Sequence, residues 1–166
     1  SEWGNKVKSL TTIPSFSIGM NKKNNLYIKN IIIKKENYDI SFEIEGKKYD
    51  ISVPLSGPES HLNYLLALSM AYFSELNNLD SIIDASFKLK NPEGRYEIIK
   101  YLKNNEIIVE YAHTPESITQ VIKFVKNKYS KVIVILGAGG NRDKEKRPLM
   151  GKAVNLADKI IITNDN

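Results

Sequence analysis

The sequence predicts an α/β protein in two parts, and three observations support this prediction. Residues 12–54 are rich in Ile, Tyr, Phe and Val that alternate with polar residues, which is typical of an antiparallel sheet. Residues 61–76 are apolar almost all round and contain no Gly or Pro, which predicts a largely buried helix. From residue 106 onwards, apolar strands alternate with amphipathic helices, and this pattern indicates a parallel sheet with crossover helices.

The individual elements follow from the same patterns. Residues 42–53 hold two alternating stretches around an EGKK turn and predict a β-hairpin. Pro92 and Gly94 interrupt the helical pattern, so we place a domain boundary there, between domains of residues 1–91 and 92–166. The other predicted elements are helices at 61–76, 80–89, 116–129 and 148–157 and strands at 106–112, 131–136 and 159–163.

Composition narrows the class of protein. The 24 Lys and Arg residues exceed the 19 Asp and Glu residues by five. Because the basic residues are scattered along the chain, nucleic acid is not an expected partner. The net positive charge still favours anionic substrates. The absence of Cys excludes disulfides and thiolate metal sites. The N-terminus has no signal-peptide pattern, and the longest apolar run, residues 132–136, is too short for a bilayer. We therefore expect a cytoplasmic protein without a membrane partner.

A glycine-rich segment, GAGGNRDKEKRP at residues 137–148, lies between a predicted strand and a predicted helix. Its glycines let backbone N–H groups approach an anion, and the helix N-terminus adds a favourable partial charge. Arg142, Lys146 and Arg147 add positive charge, and Arg can bind a carboxylate or phosphate through two hydrogen bonds. An anion site and a plain surface turn both fit this pattern.

Two further motifs contain candidate ligand-binding residues. EYAHTP, residues 110–115, ends a strand and starts a helix; Glu110 could accept hydrogen bonds from ribose hydroxyls or hold a metal-bound water, while His113 could equally be a structural residue. In GRYE, residues 94–97, Arg95 could reach a ligand between domains or form a surface ion pair worth ~0.5 kcal/mol.

Taken together and in order, the motifs resemble those of the MurE branch of the Mur ligases, the UDP-N-acetylmuramoyl-tripeptide synthetases. The resemblance spans nearly the whole chain and is most specific in YAHTP and GGNRDKEKRPLMG. The matching segments are FSIG at 16–19, GPESHLNYLLAL at 57–68, GRYE at 94–97, EYAHTPES at 110–117, GAGGNRDKEKRPLMGK at 137–152 and TNDN at 163–166.

The resemblance implies a fold and an activity. Members of the family have a domain for the UDP-sugar, a central ATPase domain and a C-terminal domain that receives the amino acid. This chain resembles the β-rich and helical end of the central domain, followed by the first half of a Rossmann-like ligase domain. The implied enzyme is a monomer that uses ATP and Mg²⁺ to join UDP-MurNAc-L-Ala-D-Glu to meso-diaminopimelate or L-lysine during peptidoglycan synthesis.

The resemblance also assigns roles to particular residues. ATP contacts are implied for four of them: Asn63, Arg95, Glu110 and His113. The incoming amino acid is expected at Arg142, Asp165 and Asn166, the last two being the start of the family's DNPR motif, whose Arg distinguishes diaminopimelate from lysine. Three positions depart from the family pattern: Glu59 replaces an aromatic or His, Ser60 replaces an Asn, and Glu110 replaces an Asp.

Some of the catalytic parts that the resemblance implies are not found in this sequence. It contains no G-x-x-x-x-G-K-S/T loop to hold ATP phosphates, and it lacks the carbamoylated Lys and the Mg²⁺ ligands of the family. We therefore assign no catalytic residue and no metal ligand, and expect these 166 residues alone to be inactive. The alternatives are another ligase of the superfamily, such as a folylpolyglutamate or cyanophycin synthetase, and a non-catalytic nucleotide-sugar binding module.

Overall fold

A computed structural model of the chain describes residues 2–74, 78–101, 105–139 and 144–164. The chain divides into two compact units. The first comprises Ser1–Leu55 and His61–Leu89, and the second comprises Ser56–Ser60 and Lys90–Asn166. The short segment Ser56–Ser60 thus lies with the second unit, although it precedes the predicted boundary.

The first unit begins with a helix and is built around a four-stranded sheet. Its strands lie in the order β1-β2-β3-β4, with β1 parallel to β2 and the remaining pairs antiparallel. Glu45 and Gly46 connect β3 to β4 with φ angles of 49° and 77°, as a tight two-residue hairpin turn requires. The predicted hairpin is confirmed. The bounds are α1 Glu2–Leu10, β1 Ile18–Gly19, β2 Leu26–Ile33, β3 Tyr38–Ile44 and β4 Lys47–Val53.

Two helices, α2 (Ser60–Phe73) and α3 (Leu79–Ser86), complete the first unit. The Tyr64 hydroxyl donates a hydrogen bond to Ser86 Oγ at 3.0 Å, which joins the helices inside the core. The prediction that α2 is largely buried is wrong, because Leu66 and Met70 on its other side are 51% and 74% exposed. One face packs inward, and no described residue buries these two side chains.

The second unit contains two separate two-stranded sheets. The predicted strand at 106–112 exists as β6, but it pairs antiparallel with β5, a strand that the sequence analysis did not identify. By contrast, β7 and β8 are parallel, as predicted for strands joined by a crossover helix. The bounds are β5 Glu97–Tyr101, β6 Asn105–Val109, α4 Pro115–Lys126, β7 Ile133–Gly137, α5 Lys146–Val154 and β8 Lys159–Thr163.

Helices α4 and α5 pack together against one face of the β7–β8 pair. Ile118 and Ile122 from α4 meet Met150 and Val154 from α5, and Val134 lies against this cluster. A polar contact adds to the packing: the carboxylate of Asp158 accepts hydrogen bonds from the Val132 N–H at 2.7 Å and Lys126 Nζ at 3.0 Å. These contacts join the end of α4, the residue before β7 and the residue before β8.

None of the helices within the described ranges is long and apolar enough to cross a membrane.

Candidate functional site

The GRYE motif forms a tight turn with an unusual backbone. Gly94 and Tyr96 have φ angles of 67° and 47°, and the left-handed region is costly for a residue that carries a Cβ. The Arg95 N–H donates to the Pro92 carbonyl at 3.0 Å, and the Gly94 N–H donates to Glu97 Oε2 at 2.9 Å. These hydrogen bonds fix the backbone on both sides of Arg95, whose side chain is exposed.

Asn91 ties this turn to the segment Ser56–Ser60. Its Nδ2 group donates to the carbonyl oxygens of Ser56 at 2.7 Å, Tyr96 at 3.0 Å and Arg95 at 3.1 Å. Its Oδ1 accepts the Ser56 N–H at 3.0 Å. Because an amide nitrogen carries two hydrogens, at least one of them is shared between acceptors. The Asn91 side chain therefore uses both its amide nitrogen and its amide oxygen to hold backbone groups.

Glu110 supports the same turn from the end of β6. Its Oε2 accepts the N–H of Tyr96 at 2.8 Å, so the residue with the strained φ angle is held by a charge-assisted hydrogen bond. The predicted role of Glu110 was contact with ATP. The structure adds a backbone contact through one of its carboxylate oxygens.

The Tyr96 side chain is the buried anchor of the turn. It is only 2% exposed and meets Phe124 of α4 edge-on, with ring centroids 5.3 Å apart. Burial raises the pKa of its hydroxyl above the ordinary value of 10, and the carboxylates of Glu106 and Glu110 raise it further. The hydroxyl has no hydrogen-bond partner among the described residues. The Tyr96 side chain is therefore a neutral group that packs inside the second unit.

Arg95, Tyr111 and His113 form an exposed row beside the start of α4. The Arg95 guanidinium lies 4.2 Å from the centre of the Tyr111 ring, within cation–π distance. The rings of Tyr111 and His113 meet edge-on at 5.1 Å, and His113 Nδ1 lies 3.0 Å from the Tyr111 carbonyl oxygen. The row thus offers a cation and two aromatic rings to a ligand, at the strand end where α/β proteins usually bind ligands.

The start of α4 confirms the predicted helix-start residues. Thr114 is the N-cap, Pro115 follows in the first turn, and Thr114 and Ser117 exchange hydrogen bonds in a capping box. This cap fixes the point at which the chain leaves His113 and enters the helix. The N-terminus of α4 carries a partial positive charge, which adds to the charge of Arg95 in favouring an anion.

The other predicted site residues are not part of this row. Asn63 is exposed on the first turn of α2, in the first unit. Lys146 and Arg147 begin α5 and are exposed, with Pro148 in the same turn as predicted. The residues expected to bind the amino acid, Arg142, Asp165 and Asn166, lie outside the described residues.

Sequence reasoning missed two residues that the structure places at this site. Tyr111 lies within the EYAHTP motif, and its position two residues before His113 was a usable signal because alternate residues of an extended chain share a face. Asn91 gave no such signal. Its role depends on carbonyl groups contributed by a segment more than thirty residues earlier, as the sequence separation of 35 to Ser56 shows.

A groove of about 940 Å³ lies elsewhere, beside the sheet of the first unit. Its two acidic residues already have partners: Glu43 forms an ion pair with Lys29 at 3.8 Å, and Glu45 accepts the Tyr72 hydroxyl at 2.6 Å. The groove contains none of the predicted site residues.

The arrangement of the described side chains also bears on the binding of metal ions. Within the described ranges, no group of three or more His, Asp or Glu side chains is arranged to hold a metal ion.

Most of the second unit matches a known protein domain. Residues 94–166 match the family model described as "Mur ligase, glutamate ligase domain". These matched residues contain Arg95, Tyr111 and His113 and carry the similarity to the Mur ligase domain.

Comparison with individual proteins is more specific. UDP-N-acetylmuramoyl-L-alanyl-D-glutamate--2,6-diaminopimelate ligase from Rickettsia montanensis is 37% identical over 153 residues, which are 90% of this chain and 31% of that protein. A solved structure of a ligase with this name aligns with a TM-score of 0.58 and 28% identity, covering 88% of this chain and 30% of the other. These matches confirm the resemblance to the MurE branch. The chain spans about a third of the length of the curated relatives that it matches.

A more distant structure shares the fold. MurF ligase from Thermotoga maritima in complex with ADP aligns with a TM-score of 0.64, over 85% of this chain and 33% of that one. Its sequence identity is 16%, so the similarity concerns the fold alone.

Proposed function

We propose that the full-length protein is an ATP-dependent ligase that extends UDP-MurNAc-L-Ala-D-Glu by one diamino acid during peptidoglycan synthesis. The observation that carries this proposal is the row formed by Arg95, Tyr111 and His113, because it lies within residues 94–166 that match the Mur ligase domain. The curated relatives are named for 2,6-diaminopimelate, which favours this amino acid over lysine.

The proposed chemistry has two steps. A carboxylate oxygen of D-Glu attacks the terminal phosphorus of ATP, so that an acyl phosphate forms and ADP leaves. The amino group of the diamino acid then attacks the acyl carbon and loses a proton to solvent, an amide forms, and phosphate leaves with its bonding electrons. Each amide therefore releases one ADP and one phosphate, and positioning with charge stabilisation supplies most of the catalysis.

The described residues would act on the nucleotide. Arg95 would donate charge-assisted hydrogen bonds to an anionic group, and the Tyr111 and His113 rings would border the ligand. Glu110 Oε1 would accept a hydrogen bond from a ribose hydroxyl. We propose an adenine contact for Asn63 and contacts with the amino-acid substrate for Arg142, Asp165 and Asn166. Residues 1–91 and 92–166 would belong to the ATP-binding and ligase domains, respectively, of a cytoplasmic monomer.

The test measures phosphate release by the full-length protein with ATP, Mg²⁺, the UDP-dipeptide and either meso-diaminopimelate or L-lysine. We expect release with meso-diaminopimelate. Arg95→Ala should lower kcat/KM for ATP about 10- to 100-fold, since it removes a hydrogen bond between charged groups. Lys88→Ala, which removes an exposed cation outside the site, is the matched control. Release with neither diamino acid would exclude the ligase and favour the binding-module alternative.

A further inference from the structure

We infer that Asn91 is a positioning residue for the nucleotide, acting through Arg95 without touching the ligand. This inference rests on the proposed function, because it assumes that Arg95 contacts ATP. Asn91 itself is half-buried and surrounded by backbone groups, whereas the Arg95 side chain is exposed.

The backbone around Arg95 is held at each of its polar groups. The Arg95 N–H is bound by the Pro92 carbonyl and the Arg95 carbonyl by Asn91 Nδ2. The next peptide group is bound in the same way, since the Tyr96 carbonyl also accepts from Asn91 and the Tyr96 N–H donates to Glu110. Asn91 thus supplies both carbonyl contacts on the C-terminal side of the arginine.

The conformation being held is a strained one. Tyr96 has a φ angle of 47°, a value that a bulky aromatic residue adopts only when its surroundings enforce it. Without the contacts from Asn91, the turn would relax toward ordinary φ values and change the direction of the Arg95 side chain. Strain of this kind is typically retained at sites where a side chain must be presented in one direction.

A second contact prevents the turn from relaxing on its other side. Gly57 has a φ angle of 109°, and a Cβ built there would lie 2.6 Å from the Cβ of Tyr96. The segment Ser56–Ser60 therefore touches the turn directly at this point, and Asn91 joins the two through the Ser56 backbone. The Arg95 guanidinium then extends from this fixed base across the Tyr111 ring.

The experiment is a double-mutant cycle on the full-length protein, with binding of ATP in the presence of Mg²⁺ measured by calorimetry. The proteins are wild type, Asn91→Ala, Arg95→Ala and the double variant. If Asn91 acts through Arg95, Asn91→Ala raises the Kd for ATP about tenfold in the wild-type background and less than about twofold once Arg95 is absent. A purely structural residue would weaken binding equally in both backgrounds.

Asn37→Ala is the matched control, because Asn37 is also half-buried and its Nδ2 donates to Asp39 at 3.0 Å in the first unit. We expect it to leave the Kd for ATP unchanged. If Asn91→Ala does not fold, Asn91→Ser replaces it in the cycle, since this variant is uncharged and too short to reach the carbonyl groups of Arg95 and Tyr96.

Two results would overturn the inference: an unchanged Kd in the Asn91 variant, or equal losses with and without Arg95. If wild-type protein binds ATP and Arg95→Ala weakens that binding, either result removes the role of Asn91 and leaves the proposed function intact. A wild-type protein that neither binds ATP nor releases phosphate would instead refute the proposed function, and the positioning role with it.

Discussion

The close approach of Gly57 to Tyr96 makes a quantitative prediction about three Gly→Ala substitutions. At Gly57 the φ angle of 109° and the 2.6 Å distance to Tyr96 Cβ combine backbone strain with a steric clash. Gly46, with a φ angle of 77° and no atom within 4 Å of an added Cβ, has the strain without the clash. Gly151 lies inside α5 in open space and has neither.

The expected magnitudes follow from these geometries. Gly46→Ala should lower the free energy of unfolding by ~1–2 kcal/mol, the cost of a Cβ in the left-handed region. Gly57→Ala adds an overpacking cost of ~1–3 kcal/mol, for a total of ~2–5 kcal/mol. Gly151→Ala should raise the free energy of unfolding by ~0.5–1 kcal/mol, since Ala favours a helix interior over Gly.

Native-state hydrogen exchange measures the change in stability that each substitution causes within the compact unit of the chain that contains it. Amides of α4 report on the Gly57 and Gly151 variants, and amides of β3 report on the Gly46 variant. If Gly57→Ala costs no more than Gly46→Ala, then the segment containing Gly57 does not contact Tyr96 as described, and the proposed support of the GRYE turn fails.

Three further predictions concern the second unit. The hydrogen bond from the Val132 N–H and then that from Lys126 lower the pKa of Asp158 below 3.8. Its contribution to stability is therefore present above pH ~4 and lost as pH falls through the folded-state pKa, so Asp158→Asn should destabilise at pH 7 and converge with wild type once the pH lies below that folded-state pKa in urea unfolding. Thr114→Ala should cost ~1 kcal/mol in the same assay through loss of the helix cap, whereas an unchanged midpoint would contradict the capping box. Tyr111→Ala should raise the KM for ATP about two- to fivefold by removing the ring under Arg95, and steady-state kinetics at varied ATP will show whether it does.

Local patterns were sufficient where an element depends on its own residues. The EGKK turn predicted the β3–β4 hairpin because Glu45 and Gly46 alone determine a two-residue connection. The capped start of α4 followed in the same way from Thr114 and Pro115. β8 has the bounds predicted for it, residues 159–163, because its apolar run is short and sharply delimited.

Features that depend on distant partners were not predictable. The pairing of β6 with β5 in place of a parallel neighbour depends on competition between strands, which periodicity does not reveal. The apolar residues of α2 indicated burial, yet burial also requires a partner on each face. At the site, the motifs identified Arg95 and His113 as candidates, but the side chain that links them, Tyr111, was recognised only from the geometry.

The most direct test of the central claim is the mass of the product formed by the full-length protein. UDP-MurNAc-L-Ala-D-Glu, ATP, Mg²⁺ and meso-diaminopimelate are incubated with the protein, and the UDP-sugar is analysed by mass spectrometry. We predict a product heavier by one diaminopimelate minus one water, formed in equal amount with the phosphate released. An unchanged UDP-dipeptide, with or without hydrolysis of ATP, would contradict the assignment of the protein as a ligase.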